Sequence, residues 1–299
     1  MMTTMFDKST RKKLRIIIAA AGLVISMAVC ISGYFYYLFI DEDEIQVHFI
    51  NAGQGDAALI LTKSSSILID CGTIDAGEKV AAYVGLRTDT VDYMILSHPH
   101  EDHIGGARYV FDKVNIRNVI MPDFAADSLC FDKLIDSIEK ENCNVYPANR
   151  GDVYSIDGVN MEILSPSENM DYDDANNVSV VMKVTYRNTS FLFMGDAEKD
   201  IENDILANEL DVRCNVLKAG HHGSSTSSTD SFIKEVSPDI AVISCGWGNS
   251  YGHPHRETIE TFKKYGVEVL RTDILDSIVL VSDGNTVTHR KSLNSILQP

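Results

Sequence analysis

Positive charge is what this chain has least of: 26 Lys and Arg stand against 43 Asp and Glu, a formal net charge of −17. Residues 1–15 hold five of the basic side chains, Lys8, Arg11, Lys12, Lys13 and Arg15, against Asp7 alone, leaving 21 basic and 42 acidic residues for the remainder. So acidic a composition offers no broad basic face for gripping phosphate backbones and argues against tight, nonspecific nucleic-acid binding. A nuclease is still allowed, because metal ions can supply the local positive charge. Cysteine is sparse as well. Cys30 falls in an apolar run, and Cys71, Cys130, Cys143, Cys214 and Cys245 are an odd set with no Cys-x-x-Cys spacing. No disulfide framework is indicated, and only a Cys130–Cys143 bridge stays open. No low-complexity or Pro/Gly-rich linker divides residues 45–299, so that stretch reads as one domain with two related halves.

Charge is missing altogether from Ile16 to Ile40. As a helix these 25 residues would reach roughly 37 Å, ample for a hydrocarbon core of about 30 Å. The expectation is a basic cytoplasmic tail (1–15), a single transmembrane helix (16–40) and an acidic linker, Asp41-Glu-Asp-Glu44, that puts residues 45–299 outside the cell membrane. A cleaved signal peptide is the competing reading, for which this apolar stretch is long.

After the linker, Ile45–Asn51 alternates as a strand does, and Ala57–Leu61 and Ser66–Asp70 follow across turns. Strands then alternate with helices, expected near 78–86, 107–112, 127–141, 199–208, 229–235 and 257–265, which argues for two sheets packed face to face with helices outside. The strand Val91–Leu96 runs into Ser97-His-Pro-His-Glu-Asp-His-Ile-Gly-Gly106. His98, His100, Asp102 and His103 in six positions are a ligand set that Zn²⁺, Mn²⁺ or Fe²⁺ accepts, and alternation lets His103 point apart from the rest, so two metals become possible. Carboxylates close two other apolar runs, at Asp70 and Asp196, and Leu217-Lys-Ala-Gly-His-His-Gly-Ser-Ser225 ends a third in vicinal histidines. His48 and His289 have no such context and are assigned to strand surfaces.

These positions resemble the metallo-β-lactamase superfamily in order and spacing, and within it the metallohydrolase domain of ComEC-type competence (DNA-uptake) proteins. Gly53-Gln-Gly-Asp56, the Ser97–Gly106 loop, Gly195-Asp196, His221-His-Gly-Ser224, Tyr251-Gly-His-Pro-His255 and Arg271-Thr-Asp273 carry the likeness. The resemblance implies an α+β fold, an αββα four-layer sandwich, over 45–299. It makes His98 and His100 ligands of one divalent metal, Zn or Mn, makes Asp102, His103 and His221 ligands of a second, and makes Asp196 the bridge. Asp70 becomes an orienting residue, with Gln54, Asp56, His222, Ser224 and His255 near the site or the substrate. One piece is missing: no histidine lies between His103 and Asp196, where many members place one. The expected occupant is in Asn176-Asn-Val-Ser179, with Asn177 the candidate, a poorer ligand than imidazole, which makes the first metal position the weaker.

The implied chemistry is hydrolysis by a metal-bound hydroxide, with Asp102 or Asp196 holding the water and His253 polarising the substrate or protonating the leaving group. The substrate read from the resemblance is a phosphodiester or nucleotide-like ester, single-stranded nucleic acid included. Two alternatives stay open: a hydrolase of amides or lactones, β-lactams among them, and a surface-anchored metal-binding protein without turnover.

Overall fold

The computed structural model describes residues 17–24, 26–27, 43–167 and 174–290. Of the span expected over 16–40, residues 17–24 and 26–27 are helical; the rest of it, with the tail 1–15, lies outside the described residues. Among the described residues no helix is long and apolar enough to cross a membrane.

From residue 43 onward the chain lays down one scheme twice. Strands β1 (Ile45–Phe49), β2 (Ala58–Leu61) and β3 (Ser66–Ile69) form an antiparallel meander. Strands β4 (Thr90–Ile95), β5 (Asn115–Met121) and β6 (Asn144–Pro147) then add in parallel. Their crossovers carry helices α1 (Gly77–Gly85), α2 (Glu101–Ile104), α3 (Ala107–Phe111) and α4 (Leu129–Glu141). The second sheet begins with antiparallel β7 (Val153–Ile156), β8 (Val159–Ser165), β9 (Val181–Tyr186) and β10 (Thr189–Phe193). It continues with parallel β11 (Val216–Lys218), β12 (Ile240–Ile243) and β13 (Glu268–Arg271). Helices α5 (Lys199–Ala207), α6 (Asp230–Val236) and α7 (Arg256–Lys264) lie on its crossovers, and the single turn α8 (Thr272–Leu275) follows β13. Strands β14 (Ile278–Ser282) and β15 (Val287–His289) cross back to the first sheet, where β14 pairs antiparallel with β1.

Alternation along the strands decides which side chains meet. Ile45, Val47 and Phe49 of β1 join Met161, Val184, Phe191 and Val216 of the second sheet in the inter-sheet core. Phe49 and Phe193 stack across it, with ring centroids 5.8 Å apart. A second cluster, including Leu192, Leu217, Phe232 and Phe262, lies between the second sheet and helices α5 to α7. Each fully buried side chain of this size contributes about 1.5–3 kcal/mol. Helix α1 covers the outer side of the first sheet, and its Val80 and Val84 are fully buried. The result is the expected order helix, sheet, sheet, helix.

One assignment is corrected here. His48 is not on a strand surface but wholly buried, because β1's outward positions face α1: its Nδ1 lies 2.9 Å from the Tyr83 hydroxyl and its Nε2 3.1 Å from Gln46 Oε1. Burial, helped by the charges of Arg87 and Arg290, holds its pKa well below the ordinary imidazole value. The described cysteines are all free thiols, so the Cys130–Cys143 bridge does not form.

Candidate metal centre

Five strands deliver the site from their carboxyl ends, the edge of an open α/β sheet where side chains converge on a ligand. β3 ends at Asp70, β4 at the Ser97–His100 loop, β10 at Gly195-Asp196, β11 at the 3₁₀ turn Gly220–Gly223, and β12 at the loop leading to His253. The first two belong to one sheet and the last three to the other. A backbone bond from Val180 N–H to the Ser97 carbonyl, 2.8 Å, ties the two rims together.

At the centre, ligand atoms of Asp102, His103, Asp196 and His222 all lie within 4.8 Å of one another. Each imidazole is fixed through its far nitrogen. His103 Nδ1 is 2.9 Å from Asp70 Oδ2, and the same carboxylate accepts the Ser97 N–H and hydroxyl at 2.7 Å each. His222 Nδ1 donates to the Ser244 carbonyl at 3.0 Å, which turns its Nε2 to Asp102 Oδ2 at 3.2 Å and Asp196 Oδ2 at 3.6 Å. Behind His222, buried Asp56 lies 3.4 Å from Nδ1 and pairs with buried Lys218 at 2.7 Å. Outer partners of this kind set tautomer and ring orientation for ligation.

The charges are mutually dependent. Burial pulls His222 down, but Asp196 and Asp56 outweigh it and raise its pKa to about 10. Burial likewise opposes a charged His103, yet Asp196 and Asp70 hold it well above the ordinary value. Asp196 is disfavoured as an anion by burial and nonetheless kept well below the usual carboxylate range by His222 and His103. Even so, His103 Nε2 and Asp196 Oδ1, 3.3 Å apart and buried, make no hydrogen bond. Buried polar atoms without partners are costly. A donor set of imidazole nitrogen and carboxylate oxygen with orphaned atoms facing each other fits a divalent cation of the Zn²⁺ or Mn²⁺ kind.

Around this centre the other expected residues divide. His98 Nε2 lies 3.0 Å from His100 Nδ1 and 3.9 Å from Asp196 Oδ2. His221 stands apart from the four-residue cluster; its Nδ1 is held by Glu198 and Thr226 at 3.2 Å each, and its Nε2 reaches 3.8 Å from Asp196 Oδ2. Thus His222, not His221, accompanies Asp102 and His103. The backbone explains the swap: His221 and His222 have φ of 45° and 53°, left-handed values that turn successive side chains in directions no helix or strand period forecasts. Asn177 is also turned aside, its Oδ1 accepting the Glu198 N–H at 3.2 Å, while Asn176 lines the cavity with an unpartnered, buried Oδ1. Ser224 is buried in its own loop, accepting from Thr226 N–H at 3.3 Å.

A cavity of about 450 Å³ opens over the centre, bordered by His100, Asp102, Asp196, His221, His222 and His253 among others. Gln54 Oε1 accepts the Gly246 N–H at 3.0 Å, which leaves its amide NH₂ toward His253 Nδ1 at 3.3 Å. His253 therefore carries its proton on Nε2. Burial and the neighbouring His222 and His221 lower its pKa to about 4, so it is a neutral donor at pH 7. His255 is a clasp between loops: Nδ1 accepts the Ser225 N–H at 2.9 Å and Nε2 donates to the Tyr251 carbonyl at 3.2 Å. Sequence reading missed Glu198 and Lys218, because a lone charged residue near a strand end carries no local signal of a buried or site-facing partner.

This fold, with its histidines and carboxylates at the strand ends, defines a metallohydrolase class, and the chain belongs to it: the model of the metallo-β-lactamase superfamily matches residues 50–247. Among curated proteins it is similar to ComE operon protein 3 of Bacillus subtilis, 29% identical over 273 residues, which are 84% of this chain and 35% of that protein. It is also similar to Competence protein ComA of Neisseria gonorrhoeae, 30% identical over 238 residues, 79% of this chain and 32% of that protein. The likeness to ComEC-type proteins read from the motifs therefore holds, and the chain spans about a third of the length of these relatives. Among solved structures, the metallo-β-lactamase fold protein YhfI from Bacillus subtilis shares the fold, with a TM-score of 0.54 at 15% identity over 80% of this chain and 100% of that one.

Proposed function

We propose that this chain is a metal-dependent phosphodiesterase, held at the outer face of a membrane by residues 16–40. The carrying observation is the buried quartet Asp102, His103, Asp196 and His222, in which both imidazoles are oriented from behind and two ligand atoms lack hydrogen bonds. Asp102, His103, Asp196 and His222 would hold one Zn²⁺ or Mn²⁺. His98 and His100 would hold a second, with the Asp196 carboxylate near enough to serve it as well. With His222 assigned to the other ion, His221 is the imidazole left to complete the His98/His100 position, its Nε2 3.8 Å and that of His98 3.9 Å from Asp196 Oδ2. The chemistry that divalent cations supply in such a site is Lewis acidity, acidifying an attacking water and neutralising charge on the phosphoryl oxygens. Asp102, only partly buried and facing the cavity, orients the water. His253, neutral and protonated on Nε2, donates a hydrogen bond to a phosphoryl oxygen or to the leaving oxygen.

Of the three carboxylates that line the cavity, Asp102 and Asp196 are assigned to the metal and only Glu101 is left to oppose a phosphodiester. In a chain of net −17, two loops at the site, 218–229 and 246–255, contain no Asp or Glu. Full-length protein loaded with Zn²⁺ or Mn²⁺ is expected to hydrolyse bis-p-nitrophenyl phosphate and single-stranded DNA and to leave nitrocefin intact. Asp102→Ala should lower turnover by about 10²-fold or more, the scale of a lost positioned group. Metal analysis of His221→Ala should show one ion lost and one retained. Hydrolysis of nitrocefin alone would establish the β-lactamase-like alternative, and silence on all three substrates with metal bound would establish the noncatalytic one.

A further inference from the structure

Beside the metal centre, the loop from β12 to α7 holds two aromatic rings in solvent. Trp247 is 83% exposed and Tyr251 66% exposed, although burying rings of this size is ordinarily favourable. Neither sits on slack chain. Asn249 braces the loop from within: its Nδ2 donates to the Gly246 carbonyl at 2.9 Å and to the His253 carbonyl at 2.7 Å, and its Oδ1 accepts the His253 N–H at 3.0 Å. Gly246, next to Trp247, is anchored to Gln54 on the cavity wall. Tyr251 borders the cavity itself, and its ring lies over that of His253 with centroids 5.6 Å apart and planes 20° from parallel.

We propose that Trp247 and Tyr251 form a stacking rim for the bases of a single-stranded nucleic acid whose phosphodiester enters the metal centre. Aromatic faces give sequence-tolerant base binding, and they need company from a backbone path that does not repel phosphate. The same loop supplies that path: residues 246–255 carry no Asp or Glu, include His253 and His255, and clasp the equally carboxylate-free loop 218–229 through His255 and Ser225. A lipid surface also takes exposed Trp and Tyr, but it would not explain a tyrosine stacked on the histidine that faces the substrate cavity. The inference rests on the phosphodiesterase reading and deepens it by naming the substrate as single-stranded and base-bearing.

Trp247 is the only tryptophan in the chain, so emission excited selectively from tryptophan, away from the 12 tyrosines, reports on this rim. In metal-loaded, full-length protein, rapid mixing with a ten-nucleotide oligothymidylate is expected to quench it. An abasic oligomer of equal length should bind about tenfold more weakly, the ratio to which about 1.4 kcal/mol of stacking converts. By anisotropy of labelled oligomers, Trp247→Ala and Tyr251→Ala should each shrink this preference, and Trp247→Phe should keep it. Equal affinity for the two oligomers, or a fluorescence response to anionic phospholipid vesicles in place of oligothymidylate, would overturn the rim. The two readings fail separately: turnover of bis-p-nitrophenyl phosphate without base preference sinks only the rim, and base preference without turnover sinks only the phosphodiesterase.

Discussion

At the scale of single residues, the centre is a set of opposed charges awaiting compensation. His222, raised to about 10 by Asp196 and Asp56 against burial, is an imidazolium ion near pH 8 in the cation-free protein, and His103 is shifted in the same direction by Asp196 and Asp70. Ligation requires a neutral ring, so metal binding at pH 8 should release at least the His222 proton, about one per protein molecule. Calorimetry in buffers of different ionisation enthalpy measures this, and zero release would contradict the assignment of these ligands. The same shift has a stability consequence. A histidine raised from about 6.5 when unfolded to about 10 when folded contributes stability that is complete below pH 6.5 and is lost as pH rises through 10. What the sequence made legible here was ligand type. Which of two vicinal histidines, or of two vicinal asparagines, faces the centre depends on left-handed or loop dihedrals that no periodicity encodes.

Elements of regular period were readable, and those too short to have one were not. β1 occupies 45–49 within the expected alternating stretch 45–51, and α4 runs 129–141 within the expected 127–141. The single turns α2 and α8 and the turn at 220–223 escape notice, since four residues display no periodicity. Yet α2 is what aims Asp102 and His103, and it is locked by close backbone approaches. A Cβ on Gly106 would stand 2.1 Å from the Cys71 carbonyl oxygen, and one on Gly55 2.2 Å from that of Asp102. Gly106→Ala should therefore cost about 1–3 kcal/mol of overpacking and weaken metal uptake together with stability. Denaturant melts paired with metal titration would show both losses; a fully stable variant with normal uptake would mean that the turn tolerates displacement.

For the molecule as a whole, the centre is where two sheets are joined: His98 to His103 come from one and Asp196, His221 and His222 from the other. Each cation bound between them should stabilise the fold by about 2.7 kcal/mol at a hundredfold excess over its Kd, about 5–10 °C in Tm for a domain of this size. Thermal melts before and after chelation test this, and an unchanged Tm would mean that the sheets hold the site without help. The layered fold was legible through its motifs and alternation. The return of β14 and β15 to the first sheet was not, because strand order is set by partners distant in sequence. That return closes a circuit. β1 lies directly against β14, and Glu44 Oε2 stands 3.8 Å from Arg290 Nη2, so the chain comes into the sandwich and departs from it at adjacent points. A unit wired in this way is portable: a host polypeptide can carry it like a bead on a short loop, and joining its two ends to reopen the chain elsewhere would leave every layer in place.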